Sequence, residues 1–170
     1  VIPDVPGHEL LITSDQLLFL PDFPPSLTFI GAGPVALELA GAFNDFGTRV
    51  TVLARDAEIL PGLDADMARN LRKRMEERGV TFRLQTDVTG LTRTPAGVRI
   101  AFYSAGMANE MTSRHVCAAV GRRFHPRTIG AARIGLEMGR LGLRTTPHLA
   151  TSVPHIYAVG DVTGRVALTP

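Results

Sequence analysis

The sequence SLTFIGAGPVALELAGAFNDFGTRVTVLAR, residues 26–55, has the order of a strand, a glycine turn, a helix and a second strand. Its first apolar run, residues 27–30, predicts a buried strand, and the turn begins at Gly31. A helical spacing of apolar residues continues to Phe46 and precedes a second apolar run at residues 50–54. Because a helix joins the two predicted strands, we expect them to be parallel neighbours in one sheet.

The residues of the turn GAGPVA suit the binding of a dinucleotide phosphate. Gly31 has no Cβ and allows a tight turn, and Gly33 lets backbone N–H groups approach a pyrophosphate. The small Ala36 lets the helix lie against the strand, and Pro34 fits the first helical position, where a proline loses no intrahelical hydrogen bond. With Val35, these residues form a helix N-terminus, where unpaired N–H groups and the positive end of the dipole favour an anion.

A tight strand-to-helix turn without a ligand is the alternative interpretation of the same glycines. The context favours nucleotide binding, because the motif follows a strand, opens a helix and is followed by a second strand within about thirty residues. The turn therefore predicts a dinucleotide site of the Rossmann type.

Composition excludes several other classes of protein. The 170 residues are 45% hydrophobic and contain 18 basic and 16 acidic side chains, so neither a disordered chain nor a nucleic-acid-binding protein is expected. No apolar run reaches the roughly 18 residues of a membrane span. The five histidines lack the spacing of metal ligands, and the single cysteine, Cys117, is expected to be reduced, buried and inert. We expect a soluble, cytoplasmic protein, and because the chain begins with Val1, a piece of a longer one.

The remaining sequence predicts further strands and helices around this unit. Ser14 is expected to cap a short helix at residues 15–20, before a proline-rich linker at 21–25. Asp64 is expected to cap a helix at 64–78, with Met67, Leu71 and Met75 as its apolar face and its arginines as a solvated face. The further predicted segments are a strand at 80–84, an antiparallel meander at 88–112, a buried strand at 116–120 and a last strand within 151–161. The predicted fold class is α/β, a Rossmann-like parallel sheet flanked by helices with an inserted antiparallel β-meander.

Four motifs in this order, GAGPVALELAGAF, TVLARDAEILPGLD, AVGRRFHP and TSVPHIYAVGDVTG, carry a family resemblance. The sequence resembles the FAD-dependent pyridine nucleotide-disulfide oxidoreductases, which include mercuric reductase, glutathione reductase and dihydrolipoamide dehydrogenase. The resemblance implies that residues 22–148 are an NAD(P)H-binding domain. It also implies that residues 1–21 and 149–170 are segments of an FAD domain that is incomplete here.

The same resemblance assigns roles to residues that match the family motifs. Gly31, Gly33 and Ala36 would hold the NAD(P)H pyrophosphate. Glu38 would lie near the nicotinamide, although an exposed polar helix residue is the alternative, and Gly121 would lie along the nicotinamide nucleotide. Arg122 is a further NAD(P)H candidate because it follows the end of the strand at 116–120, although an exposed loop pair with Arg123 is the alternative. The resemblance also implies that Gly160 and Asp161 contact FAD.

The choice between NADPH and NADH depends on the end of the second strand of the unit. An NAD site usually has an acid there, whereas this sequence has Ala54 and Arg55. A guanidinium can pair with the 2′-phosphate of NADPH, which favours NADPH. NADH stays possible, because Asp56 could bond a ribose hydroxyl and Pro61 replaces a second arginine that NADPH-dependent members often carry.

The resulting interpretation is an NAD(P)H-binding domain of a flavin-dependent disulfide or mercuric-ion reductase, which presents the nicotinamide for hydride transfer to FAD. Its partner would be the remainder of the parent flavoenzyme, which the resemblance implies is a homodimer. The chain alone is expected to bind nucleotide without catalysing a reaction. The alternative function is a stand-alone nucleotide-binding or redox-sensing module without catalysis.

Overall fold

The computed structural model describes residues 2–121, 130–140 and 142–164. The described residues form two compact units, one within residues 2–121 and the other within residues 130–164. Among them, no helix combines the length and the apolar character that crossing a bilayer requires.

The first unit is built on a five-stranded sheet in which every neighbouring pair of strands is parallel. In chain order the strands are β1 (Ile12–Thr13), β2 (Ser26–Ile30), β3 (Arg49–Leu53), β4 (Thr81–Arg83) and β8 (His115–Ala118). Their order across the sheet is β1-β8-β2-β3-β4. The predicted parallel pair is confirmed, because β2 lies beside β3 with Leu27 opposite Val50 and Phe29 opposite Val52.

Three helices belong to this unit, and they are α1 (Ser14–Leu17), α2 (Pro34–Asp45) and α3 (Ala65–Glu77). Helix α2 buries Ala36, Leu37, Ala40 and Phe43 in a core that also contains the inward residues of β2 and β3. Alternate residues of a strand point to opposite faces of a sheet. The side chains of Leu27 and Phe29 therefore belong to the core with α2, whereas Ile30 belongs to a second core on the other face.

That second core is covered by the inserted antiparallel sheet. Its strands are β5 (Thr86–Thr94), β6 (Gly97–Ser104) and β7 (Met107–Ser113), paired in the order β5-β6-β7 with a bulge between Val88 and Gly90. Ile100 and Phe102 pack with Leu53 and Val116 of the parallel sheet. The turn between β6 and β7 has positive φ at both central residues, which is typical of tight hairpins. The predicted fold class, including the meander, is confirmed.

The caps of the two outer helices differ in how well the sequence predicted them. The Oδ1 atom of Asp64 accepts hydrogen bonds from the N–H groups of Asp66 and Met67, both at 3.0 Å, so the predicted cap of α3 is confirmed. The predicted cap of α1 is wrong, since Thr13 and Gln16 form the capping box and Ser14 is already helical. Thr13 is the N-cap residue because it lies three residues before Gln16, the spacing that a capping box requires.

The apolar face predicted for α3 is confirmed at Met75, but toward the amino end of the helix it is displaced by one residue from the observed buried face. Met67 is 71% exposed and Leu71 is 40% exposed, whereas Ala68 is buried along with Met75. The half-buried Arg72 lies on the same side, because residues 68, 72 and 75 have helical spacing. The small Ala68 suits a close approach of the helix better than a methionine would.

The second unit has little regular structure among its described residues. It contains 3₁₀ turns at Ala131–Ile134 and Gly160–Thr163, and single backbone bridges join Met138 to Leu143 and Ala150 to Tyr157. The predicted strand within 151–161 is wrong for the described residues. The Thr151 hydroxyl donates to the Ile156 carbonyl at 2.8 Å and accepts from the Val153 N–H at 3.1 Å, and such local bonds compete with a strand ladder.

Cys117 provides a test of how tightly this core is closed. It is fully buried in β8, and desolvation raises the pKa of its thiol to about 12. Because the thiolate is the reactive form, we expect no labelling of the native chain by a thiol reagent at pH about 8, and complete labelling in denaturant. Fast labelling without denaturant would contradict a closed core.

Candidate functional site

The carboxyl ends of β2, β3 and β8 meet at one edge of the parallel sheet. The Gly31 N–H donates to the Leu53 carbonyl at 2.8 Å, and the Ala119 N–H donates to the Ile30 carbonyl at 2.8 Å. These bonds bring together the starts of the three loops that leave the edge. The glycine turn, the Ala54–Arg55 pair and the segment that leads to Gly121 thus begin side by side.

The topology creates a crevice at this edge. From β2 the chain passes through α2 to β3 on one side, whereas β8 lies on the other side of β2. The strand order therefore changes direction at β2, and such a switch point, at the carboxyl ends of the strands, is where open α/β sheets bind ligands. Gly31 and Gly121 lie at the two sides of this point.

The two glycines of the turn, Gly31 and Gly33, are subject to different structural requirements. Gly31 has a φ of +108°, and a Cβ built on it would lie 2.5 Å from the Ala119 carbonyl oxygen, so the fold itself demands a residue without a side chain. Gly33 has an ordinary φ of −82°, and a Cβ there would meet no atom of the described residues within 4 Å. Neither conformation nor packing of the chain explains Gly33, which borders open space.

That open space lies at the start of α2. Gly33 is the N-cap residue, no side chain caps the helix, and its first turn contains no acidic residue. Pro34 occupies the first helical position and is exposed, followed by the half-buried Val35 and the buried Ala36. The first N–H groups of a helix have no intrahelical acceptor, so this end offers donors and partial positive charge to an anion.

The loop after β3 is held by backbone hydrogen bonds on both sides of Arg55. The carbonyl of the buried Ala54 accepts from the Thr86 N–H at 2.9 Å, and the carbonyl of Asp56 accepts from the Gln85 N–H at 3.0 Å. Arg55 itself is exposed, and among the described residues it forms no ion pair. The structure thus presents one unpaired guanidinium from a fixed stretch of backbone.

An ion pair that the sequence did not predict joins the same loop to α3. The Arg72 Nε atom donates to Glu58 Oε1 at 2.9 Å and Nη2 donates to Oε2 at 3.2 Å, while Nη1 reaches Glu76 Oε1 at 3.0 Å. The interpretation of Arg72 as part of a solvated face is therefore wrong. The sequence signal for its burial is its helical spacing from Ala68 and Met75, which places Arg72 on the buried side of α3.

The ion pair shifts the pKa of both partners in the direction that favours the charged form. The hydrogen bond from Arg72 holds the pKa of the Glu58 carboxyl below its ordinary value, with a further contribution from the Ile59 N–H that donates to Oε1 at 3.0 Å. The hydrogen bond to Glu58 in turn raises the pKa of the Arg72 guanidinium. Both groups are charged at neutral pH, and the pair is only partly exposed to water.

The remaining predicted site residues are spread over the chain. Glu38 is exposed in the second turn of α2, and Gly121 has a φ of +117°, with no atom of the described residues within 4 Å of where a Cβ would lie. Arg122 lies outside the described residues. Gly160 and Asp161 belong to the second unit, at the start of its 3₁₀ turn at Gly160–Thr163.

Over residues 2–121, 130–140 and 142–164, no cluster of histidine, cysteine and acidic side chains is arranged to hold a metal ion.

All 170 residues match the family model described as pyridine nucleotide-disulphide oxidoreductase. This chain belongs to the pyridine nucleotide-disulphide oxidoreductase family. It is 38% identical to a glutathione reductase of Burkholderia cepacia, covering 100% of this chain and 37% of that protein. It is 34% identical to dihydrolipoyl dehydrogenase 3 of Pseudomonas putida, covering 92% of this chain and 34% of that protein.

A solved structure supports the same membership of the pyridine nucleotide-disulphide oxidoreductases. The HOCl-induced flavoprotein disulfide reductase RclA from Escherichia coli superimposes with a TM-score of 0.84 at 26% identity, covering 98% of this chain and 38% of that one. The chain thus spans little more than a third of the length of the relatives that it matches. The family resemblance that the four motifs predicted is confirmed.

The different surroundings of Gly31 and Gly33 lead to a paired prediction about stability. Gly31→Ala should lower the free energy of unfolding by about 2 kcal/mol or more, because the Cβ meets the Ala119 carbonyl and the φ is unfavourable. Gly33→Ala should leave stability within about 1 kcal/mol of the wild type. Urea denaturation of both variants measures this difference, and equal losses would contradict the assignment.

The pair of Glu58 and Arg72 predicts a pH dependence of stability. The folded-state pKa of Glu58 is lowered, so its stabilising contribution is present above the unfolded-state pKa of about 4.3 and is lost as the pH falls through the folded-state value. The difference in unfolding free energy between wild type and Glu58→Gln should therefore be largest at pH about 6 and shrink below pH about 4. Urea titrations at several pH values measure it, and a constant difference would contradict the lowered pKa.

Proposed function

We propose that the crevice at the carboxyl ends of β2 and β8 binds NADPH through the glycine turn and Arg55. The observation that carries this proposal is Gly33, the N-cap residue of a helix start that has no side-chain cap and no acidic residue in its first turn, and that borders space free of other described residues. A pyrophosphate needs such a surface, because its oxygens must come close to backbone N–H groups. Gly31, Gly33, Val35 and Ala36 supply this surface, and Pro34 sets the helix start.

The proposed preference for NADPH depends on charge at the end of β3. Ala54 is buried and cannot bond a ribose hydroxyl through its side chain, while Arg55 is exposed and unpaired among the described residues. A guanidinium can bind a 2′-phosphate with two parallel hydrogen bonds. NADH, which lacks this phosphate, would leave Arg55 without that partner.

Other residues would serve the remainder of the cofactor. Glu38, one turn into α2, and Gly121, on the other side of the switch point, would lie along the nicotinamide half, as would Arg122. Gly160 and Asp161 would contact FAD, since a carboxylate accepts hydrogen bonds from hydroxyl groups such as those of the flavin's ribityl chain. In this proposal residues 22–148 are the NAD(P)H-binding domain, and residues 1–21 and 149–170 are segments of the FAD domain.

The proposed activity of the longer protein is that of an FAD-dependent disulfide or mercuric-ion reductase, assembled as a homodimer in the cytoplasm. A bound nicotinamide supplies a hydride to the flavin in such enzymes. The residues described here would contribute binding and orientation to that step, by holding the phosphates on backbone donors and excluding other poses. The names of the relatives, glutathione reductase and dihydrolipoyl dehydrogenase, support a reductase of this type.

Fluorescence titration of the 170-residue chain with NADPH and with NADH tests the proposal directly. We expect saturable binding of NADPH and weaker binding of NADH. Gly33→Ala, which should fold normally, is expected to weaken both nucleotides, because its Cβ occupies the proposed phosphate surface. Absence of binding by the folded wild type would overturn the proposal.

The role of Arg55 leads to a separate prediction. Arg55→Ala should weaken NADPH binding about 10- to 100-fold, roughly the equivalent of one charged hydrogen bond, and leave NADH binding nearly unchanged. Arg49→Ala is the matched control, because Arg49 is an exposed arginine at the amino end of the same strand. An unchanged ratio of NADPH to NADH affinity in Arg55→Ala would exclude Arg55 as the phosphate ligand.

A further inference from the structure

The loop at residues 55–63, called here the specificity loop, joins the end of β3 to the cap of α3. We infer that the Glu58–Arg72 pair is a positioning unit for the nucleotide site, which holds the specificity loop against the glycine turn and thereby sets the preference of Arg55 for NADPH. This inference rests on the proposed function. It assigns a role to two residues that touch no nucleotide in the proposal.

The first step is the geometry of the pair. All three guanidinium nitrogens of Arg72 are used, two on Glu58 and one on Glu76. Both oxygens of Glu58 are used as well, and Oε1 also accepts the Ile59 N–H. Such a two-point contact fixes orientation, which a single hydrogen bond does not. Arg72 therefore fixes the loop backbone at Ile59, through the carboxylate that both share.

The second step leads from this point to the glycine turn. Ile59 is 1% exposed and packs in the same core as Ala32 and Ala36. The next N–H, that of Leu60, donates to the Ala32 carbonyl at 2.9 Å. Leu60 has a φ of +53°, which a non-glycine residue adopts only when its surroundings hold it there. The pair thus stabilises the contact that joins the specificity loop to the residue between Gly31 and Gly33.

The third step concerns Arg55 at the other end of the loop. Bonds from Thr86 and Gln85 hold the carbonyls of Ala54 and Asp56, and the Leu60 bond holds the far side of the loop. The guanidinium of Arg72 is neutralised by Glu58 and Glu76, so it does not attract the nucleotide phosphates. Arg55 is left as the unpaired cation among the described residues of this loop. Its distance from the phosphate surface is set jointly by the Thr86 and Gln85 bonds beside it and by the Leu60 bond that joins the loop to the glycine turn.

Hydrogen exchange in the absence of nucleotide tests the positioning part of this inference. In Glu58→Ala and Arg72→Ala we expect the amide of Leu60 to exchange about tenfold faster or more than in the wild type, because its bond to Ala32 opens more often. Amides in the centre of β2 and β3 should be unaffected. Unchanged protection of Leu60 in both variants would overturn the inference whether or not the chain binds nucleotide.

Binding of NADPH and NADH tests the effect on specificity. Arg72→Ala should weaken NADPH about fivefold and NADH less, whereas the same change combined with Arg55→Ala should add little to the loss caused by Arg55→Ala alone. Arg72→Lys should lie in between, because lysine keeps the charge but cannot make the two-point contact. Arg74→Ala is the matched control, since Arg74 is exposed on the same helix.

The outcomes separate this inference from the proposed function. If the wild type binds neither nucleotide, the proposed function fails, and the effect on specificity fails with it. If the wild type binds NADPH but Arg72→Ala leaves the affinity ratio unchanged, or if its loss is additive with that of Arg55→Ala, the inference alone fails. Thermal unfolding of each variant shows that the chain is folded at the temperature of the titration.

Discussion

The close approach of the glycine turn to the end of β8 is the constraint on which the site depends. The space between Gly31 and the Ala119 carbonyl does not admit a methyl group. This contact lets β2 and β8 be hydrogen-bonded neighbours up to their last residues, with the glycine turn packed directly against residues 119 and 120. A side chain at position 31 would push the two loops apart and remove the shape of the crevice before any ligand is considered.

The packing of the parallel sheet and the packing of the inserted meander both depend on the position of β2. Successive residues of β2 supply two cores, with Phe29 packed toward α2 and Ile30 toward the meander. A displacement of β2 would therefore disturb both layers at once. The interior of a protein is closely packed, so such a strand transmits changes to both faces. The site edge is rigid because the strands that end there are buried on both sides.

Local patterns in the sequence were enough to predict much of this. The apolar runs of β2 and β3, the glycine turn, the Asp64 cap and the hairpins each depend on residues close together in the chain. The predictions that failed depend either on side-chain hydrogen bonds that compete with the predicted structure or on contacts between residues distant in the chain. The Thr151 hydroxyl makes local bonds that replace a predicted strand. The pairing of Arg72 with Glu58 depends on which face of α3 meets the loop, and the predicted face was displaced by one residue.

The local electrostatic potential at the proposed site depends on which charged side chains are paired with one another, more than on the net charge of the chain. The chain has only two more basic than acidic residues, so its overall charge provides little attraction for an anion. Arg72 and Arg78 are held by carboxylates, whereas the positive end of α2 and the guanidinium of Arg55 have no acidic partner among the described residues. In the proposed nucleotide site, these two features would attract phosphate at hydrogen-bond distance, where salt screens charge less than it does over a broad basic surface.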